Sequence, residues 1–136
     1  MNTITAAPRR GAFPLIAALV LVLGACSSSS PSSNEGGGTV AVIDGAVTIT
    51  ADELAFDAST IVATAGEAFT ITLVNNDSVP HNISVYTEEG GEAIVEGEII
   101  DGGETIEVSV PAQEAGEYFF VCDLHTTMNG ALVVEA

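Results

Sequence analysis

From Val47 onward, polar and apolar side chains take turns along the chain. Val47 and Ile49 alternate with Thr48 and Thr50. Phe69, Ile71 and Leu73 alternate with Thr70, Thr72 and Val74, and Ile106, Val108 and Val110 with Thr105, Glu107 and Ser109. A period of two sends successive side chains to opposite faces, so each stretch predicts a strand with one face buried. Turn-forming clusters separate the stretches: Ala65-Gly66-Glu67, Asn75-Asn76-Asp77, Glu89-Gly90-Gly91, Asp101-Gly102-Gly103 and Ala115-Gly116-Glu117. Tyr118-Phe119-Phe120-Val121 is aromatic or aliphatic throughout, which predicts a strand central to the core. Residues 92–99 fit neither a helix nor a strand pattern. Seven to eight short strands without a helix predict an all-β fold, a Greek-key β-sandwich.

The first 38 residues carry a different pattern. Arg9-Arg10 precedes an apolar run, Gly11 to Ala25, that is too short to span a bilayer; a charged start and a short apolar core make a signal-peptide pattern. The run ends in Leu23-Gly24-Ala25-Cys26, which looks like the lipobox of a prokaryotic lipoprotein, with Cys26 acylated after cleavage. The Arg pair gives a weak hint of twin-arginine export. Ser27 to Gly38 is almost wholly Ser, Gly and Pro, a flexible coil with a root-mean-square reach of about 20 Å. The expected organisation is therefore a signal peptide over 1–25, a lipidated Cys26 with its tether over 26–38, and one folded domain over 39–136. Such a domain is exported and leashed to the outer face of the cytoplasmic membrane.

Charge narrows the partners. The chain carries nineteen acidic residues, all after Cys26, and its only basic residues are Arg9 and Arg10. The expected domain thus has no Lys or Arg, which excludes a nucleic-acid grip through cationic side chains. Anionic head groups would repel it, so membrane attachment must come from the lipid. The acids are spread along the chain, which favours solubility over steering as their purpose. The expected oligomeric state is a monomer.

Soft-metal donors are few, and they cluster. After Cys26 the chain has one Cys, two His and one Met, and three of these four lie in Cys122-Asp123-Leu124-His125-Thr126-Thr127-Met128. His81 lies upstream in Ser78-Val79-Pro80-His81-Asn82. A strand ending at Cys122, a tight loop, and a strand opening near Gly130 would fold Cys122, His125 and Met128 around one point, with His81 arriving from a neighbouring strand end. Two imidazoles, a thiolate and a weak axial thioether form the donor set of a trigonal blue-copper site for one-electron transfer. The alternatives fit less well. Cys122 lacks a disulfide partner if Cys26 is acylated, and a free thiol is a liability outside the cytoplasm. A structural zinc site wants a fourth Cys or His in place of Met. For a Cys–His nucleophile, no supporting acid or oxyanion loop is evident, and Asp123 is the wrong neighbour for an activated thiol.

These residues resemble the cupredoxins. Pro80-His81-Asn82, with Tyr118 through Gly130, is similar to the plastocyanin and amicyanin type, and the anchor and acidity are similar to halocyanin-style members. The Cys-x-x-His-x-x-Met spacing matches the short amicyanin loop. The resemblance implies one type 1 copper ion on His81, Cys122, His125 and Met128, with His125 as the electron port and Asn82 bracing the two ligand loops. It departs from the family where Leu124 and Thr126 flank His125, a place often taken by Pro. Leu124, Val79 and Pro80 are candidates for an apolar docking patch. The expected function is a non-enzymatic electron shuttle between a redox donor and an acceptor, such as a membrane oxidase or reductase; the alternative is a copper carrier or storage module.

Overall fold

The alternation over Val47–Asp52 and Phe69–Asn75 becomes a pair of strands, and the register explains their burial. The computed structural model describes residues 37–136, in which ten strands form two sheets without a helix. β1 spans Gly38–Ala41, β2 Ala46–Asp52, β3 Ala55–Phe56, β4 Ala58–Thr64 and β5 Phe69–Asn75. β6 spans Ser84–Tyr86, β7 Ala93–Val95, β8 Thr105–Val110, β9 Gly116–Val121 and β10 Asn129–Glu135. The order in one sheet is β3-β2-β5-β8 and in the other β1-β4-β10-β9-β6-β7. The strands beyond the seven or eight expected are short. The two-residue β3 is below the length at which a period of two is legible, and β7 lies in the unpatterned stretch 92–99. The export segment, the acylated Cys26 and the tether through residue 36 lie outside the described residues. The folded part starts at the end of the expected tether: Ser59 donates to the Gly37 carbonyl at 2.6 Å, and Gly38 pairs with Ala58.

The two sheets meet over one apolar core. Val47, Ile49 and Ala51 of β2 and Phe69, Ile71 and Leu73 of β5 face it from one side. Ile61 of β4, Val85 of β6, Phe120 of β9, and Leu132 and Val134 of β10 face it from the other. Burying each such Leu, Ile or Phe contributes about 1.5–3 kcal/mol. Phe56 and Phe120 bridge the sheets, their ring centroids 5.8 Å apart and tilted by 51°. Gly130 is required beneath them, since a Cβ there would collide with the Phe120 ring and the Ser59 carbonyl. The strand Tyr118–Val121 is central within its sheet, between β10 and β6. Only Phe120 and Val121 are buried, however; Tyr118 and Phe119 are half-buried. Among the described residues no third layer covers the outer face of this sheet at Phe119, so apolar character at four consecutive positions overstated the burial.

Pairing brings two distant segments to the same end of the sandwich. β6 runs antiparallel to β9 with Ser84 opposite Val121. The residues just before Ser84 and those just after Val121 therefore pass the same sheet edge. β9 and β10 form an antiparallel pair with Val121 opposite Asn129, so residues 122–128 are their connection.

Candidate metal centre

Residues 122–128 are a loop stitched by its own backbone. The Cys122 amide donates to the Met128 carbonyl at 2.9 Å, the His125 amide to the Cys122 carbonyl at 3.2 Å, and the Met128 amide to the His125 carbonyl at 2.8 Å. Two successive turns thus return the chain to its start. They leave Cys122 and Met128 fully buried and His125 half-buried. Asn129 steadies the exit, its side-chain amide donating to the Thr126 carbonyl at 2.8 Å.

The upstream segment is held mainly by side chains. Asn75, buried at the end of β5, donates to the Val79 carbonyl at 2.9 Å and accepts from the Asp77 amide at 3.0 Å. His81 and Ile100 exchange both backbone hydrogen bonds, at 3.0 and 2.9 Å, which fixes the His81 backbone. The fully buried His81 ring has Nε2 3.1 Å from Asp77 Oδ2. Asp77 also accepts from the Leu54 amide at 2.9 Å and the Ser78 amide at 2.7 Å. The Leu54 amide, then the His81 ring and the Ser78 amide, hold its carboxyl down at about 2. An ionised carboxylate at Nε2 accepts a hydrogen bond from the ring N–H there, which keeps the proton on Nε2 and leaves the Nδ1 lone pair facing inward.

Three donor atoms then converge. His81 Nδ1 lies 3.7 Å from Cys122 Sγ and 3.2 Å from His125 Nδ1, and His125 Nδ1 lies 3.9 Å from Cys122 Sγ. The rings of His81 and His125 meet edge to face, with centroids 4.9 Å apart. A triangle with these sides has its centre about 2.1 Å from each corner, the length of first-row metal–imidazole and metal–thiolate bonds. Among the described residues, His81, Cys122 and His125 are the one His/Cys/Asp/Glu group spaced to hold an ion. Met128 is buried in the same core cluster as Cys122. The donor set suits copper better than zinc, since a thioether is a soft ligand. A nucleophile reading gains the supporting acid that the sequence hid, Asp77, yet Cys122 is fully buried.

Asn82 joins the two segments. Its carbonyl oxygen accepts from the Asp123 amide at 2.9 Å, and its amide nitrogen donates to Asp123 Oδ2 at 2.7 Å and to the Gly97 carbonyl at 3.0 Å. Ser84 donates to Asp123 Oδ2, and Tyr86 donates to Oδ1 at 2.8 Å. Burial raises the Asp123 carboxyl, but the hydrogen bonds from Ser84, Asn82 and Tyr86 outweigh it, and the group sits below its ordinary value. The same bond, followed by burial and the Asp123 charge, pushes the Tyr86 phenol up to about 12. Asp77, Ser84, Tyr86 and the role of Asp123 escaped the sequence reading. A signal existed: Asn82, Ser84 and Tyr86 recur with period two beside the buried Ile83 and Val85, and so share one face. Of the expected apolar patch, Leu124 and Pro80 are exposed and Val79 is half-buried.

Known proteins share this architecture. The family model for the cupredoxin-like domain matches residues 15–134. Auracyanin-A of Chloroflexus aurantiacus is 29% identical over 88% of this chain and 93% of its own length. Amicyanin of Paracoccus denitrificans is 29% identical over 69% of each. The solved structure of auracyanin A, described as a "blue" copper protein, superposes with a TM-score of 0.59 over 72% of this chain and all of that one. The family match runs through both sheets and all four candidate donors, and the chain belongs to the cupredoxin-like family.

Proposed function

We propose that this chain is an exported, lipid-anchored carrier of single electrons that holds one type 1 copper ion on His81, Cys122, His125 and Met128. The observation that carries this reading is the triangle of His81 Nδ1, Cys122 Sγ and His125 Nδ1, with sides of 3.2, 3.7 and 3.9 Å. Bound copper supplies a one-electron change of oxidation state. The residues do the rest. Cys122 gives a covalent thiolate, His81 a ring fixed by Asp77, and Met128 a weak donor that tunes the potential. His125, half-buried beside the exposed Leu124, is the contact for a partner. The closed backbone of loop 122–128 keeps the donors in place through both redox states, which keeps reorganisation small. Four side chains fill the metal's positions, so the protein works as a carrier rather than an enzyme.

The leader pattern and Cys26 support anchorage at the outer face of the cytoplasmic membrane, where the Ser/Gly tether lets the domain turn between a donor and an acceptor such as a membrane oxidase or reductase. Adding Cu(II) to the purified chain tests the reading. One equivalent should produce an intense visible band that a reductant bleaches and an oxidant restores without metal loss. A protein that stays colourless with copper bound is a carrier or store of metal, not of electrons.

A further inference from the structure

Asp123 follows Cys122 directly, and although the residue is exposed, its carboxylate is hydrogen-bonded to β6 and to Asn82 just before it. Three donors reach it: the Asn82 amide and the Ser84 hydroxyl on Oδ2, and the Tyr86 phenol on Oδ1. Its own backbone amide donates to Asn82 Oδ1 in return. The third side of the ring is Gly97, whose amide donates to Ser84 Oγ at 3.1 Å and whose carbonyl accepts from Asn82 at 3.0 Å. A Cβ at residue 97 would collide with the Ile83 carbonyl, so the approach needs glycine.

This ring has one arrangement. Turning the Asn82 amide over would set its NH₂ against the Asp123 amide and its oxygen against the Gly97 carbonyl and a carboxylate, three like-with-like contacts. The Ser84 hydroxyl accepts from the Gly97 and Asn82 amides, and its one hydrogen goes to Asp123, because an ionised carboxylate can only accept. A carboxylate accepts from all three donors at once on its two oxygens, whereas an amide at residue 123 has one oxygen and would turn its NH₂ towards at least one of them. The described residues include no Lys or Arg, so neutral dipoles and solvent, rather than a cationic side chain, face this charge. It stands one residue from the thiolate, undiminished by an ion pair.

We propose that Asp123 is a positioning residue with a second effect: its carboxylate locks Asn82 across the two ligand loops, and its charge biases the metal towards the oxidised, more positive state. The inference rests on the copper reading above. It also gives the Tyr86 phenol a role, since a hydrogen bond to the carboxylate disperses part of the charge that the metal feels.

The test uses the copper-loaded protein and two variants whose shifts carry opposite signs. Asp123→Asn removes the charge and should raise the midpoint potential, increasing the reduced-to-oxidised ratio at fixed ambient potential about tenfold, which is about 59 mV for one electron. Tyr86→Phe removes only a donor, leaves the charge less dispersed, and should lower the potential by a smaller amount; its half-buried site keeps the fold safe should Asp123→Asn fail to fold. In the metal-free protein, hydrogen exchange at the residue 123 amide should accelerate in Asp123→Asn as Asn82 loses its fixed orientation. Shifts of the same sign in both variants, or unmoved potentials with a lower melting temperature, reduce the ring to a structural brace and overturn the inference. A wild-type protein without a visible band overturns the copper reading itself, and this inference with it.

Discussion

The two segments that meet at the metal centre are built by opposite means. Residues 122–128 close on themselves through three backbone hydrogen bonds, so the loop's shape depends on length more than on identity. Residues 75–82 are held by particular side chains, Asn75 and Asp77 above all, reaching to the Val79 carbonyl, the Leu54 amide and the His81 ring. The first segment supplies three of the four donors and leaves His125 half-buried; the second supplies one, fully buried. The division suits an electron carrier. A short self-closed loop can present a ligand at the surface without yielding, while the buried ligand takes its orientation from a carboxylate that fixes its tautomer.

Substitutions that remove one kind of support should therefore hurt the segments unequally. The largest effect on folding is expected from Asn75→Ala, which leaves the Val79 carbonyl and the Asp77 amide without their partner in a buried place. A loss of about 3 kcal/mol is expected, read as a lower denaturant midpoint of the metal-free protein. Leu124→Ala, in the loop that backbone hydrogen bonds close, should cost less, because its side chain is exposed. Next comes Asp77→Asn, which keeps the size of the group but removes its charge from the His81 ring. Copper(II) affinity should fall about tenfold to a hundredfold in competition with a chelator, and an unchanged affinity would mean that the backbone pair with Ile100 suffices to orient the ring.

Met128→Leu probes the other segment. A volume-conserving swap in the core should cost less than about 1.5 kcal/mol, while the potential rises because a donor to the oxidised metal is gone. A lower potential in voltammetry would show that Met128 does not donate. The smallest effect concerns Tyr86. Its folded pKa, about 12, lies above the ordinary phenol value of 10.0. The neutral phenol is thus the form the fold favours, and its contribution is complete below pH 10 and lost as pH rises towards 12. Ultraviolet titration of the wild type minus Tyr86→Phe should show this phenol ionising late; a midpoint at the ordinary value would mean that its bond to Asp123 is absent in solution.

The same contrast governs what could be read from the sequence. The Cys-x-x-His-x-x-Met spacing names its loop outright, since closure through backbone atoms imposes few demands on the residues between. Strands β2, β5 and β8 were equally plain, because one buried face writes its period into the sequence. Asn75, Asp77 and Ser78 read only as turn chemistry, for the residue types that cap turns are the same ones that orient a histidine. One target, the Leu54 amide, lies on another segment, and the other, the His81 ring, is reached within the same turn-rich stretch, so only the folded chain reveals the pairing. Asp123 was weighed for its nearness to Cys122 along the chain, whereas its partners lie on β6 and just before it, forty-one residues upstream in the case of Asn82. Burial of Phe119 was overstated because apolar character does not report whether a further layer covers a sheet.

X-ray absorption at the copper edge of the loaded wild-type protein tests the centre most directly. Two nitrogen scatterers and one short sulfur scatterer are predicted, with the sulfur lost in Cys122→Ser. A first shell of nitrogen and oxygen alone, unchanged by that substitution, would contradict the account.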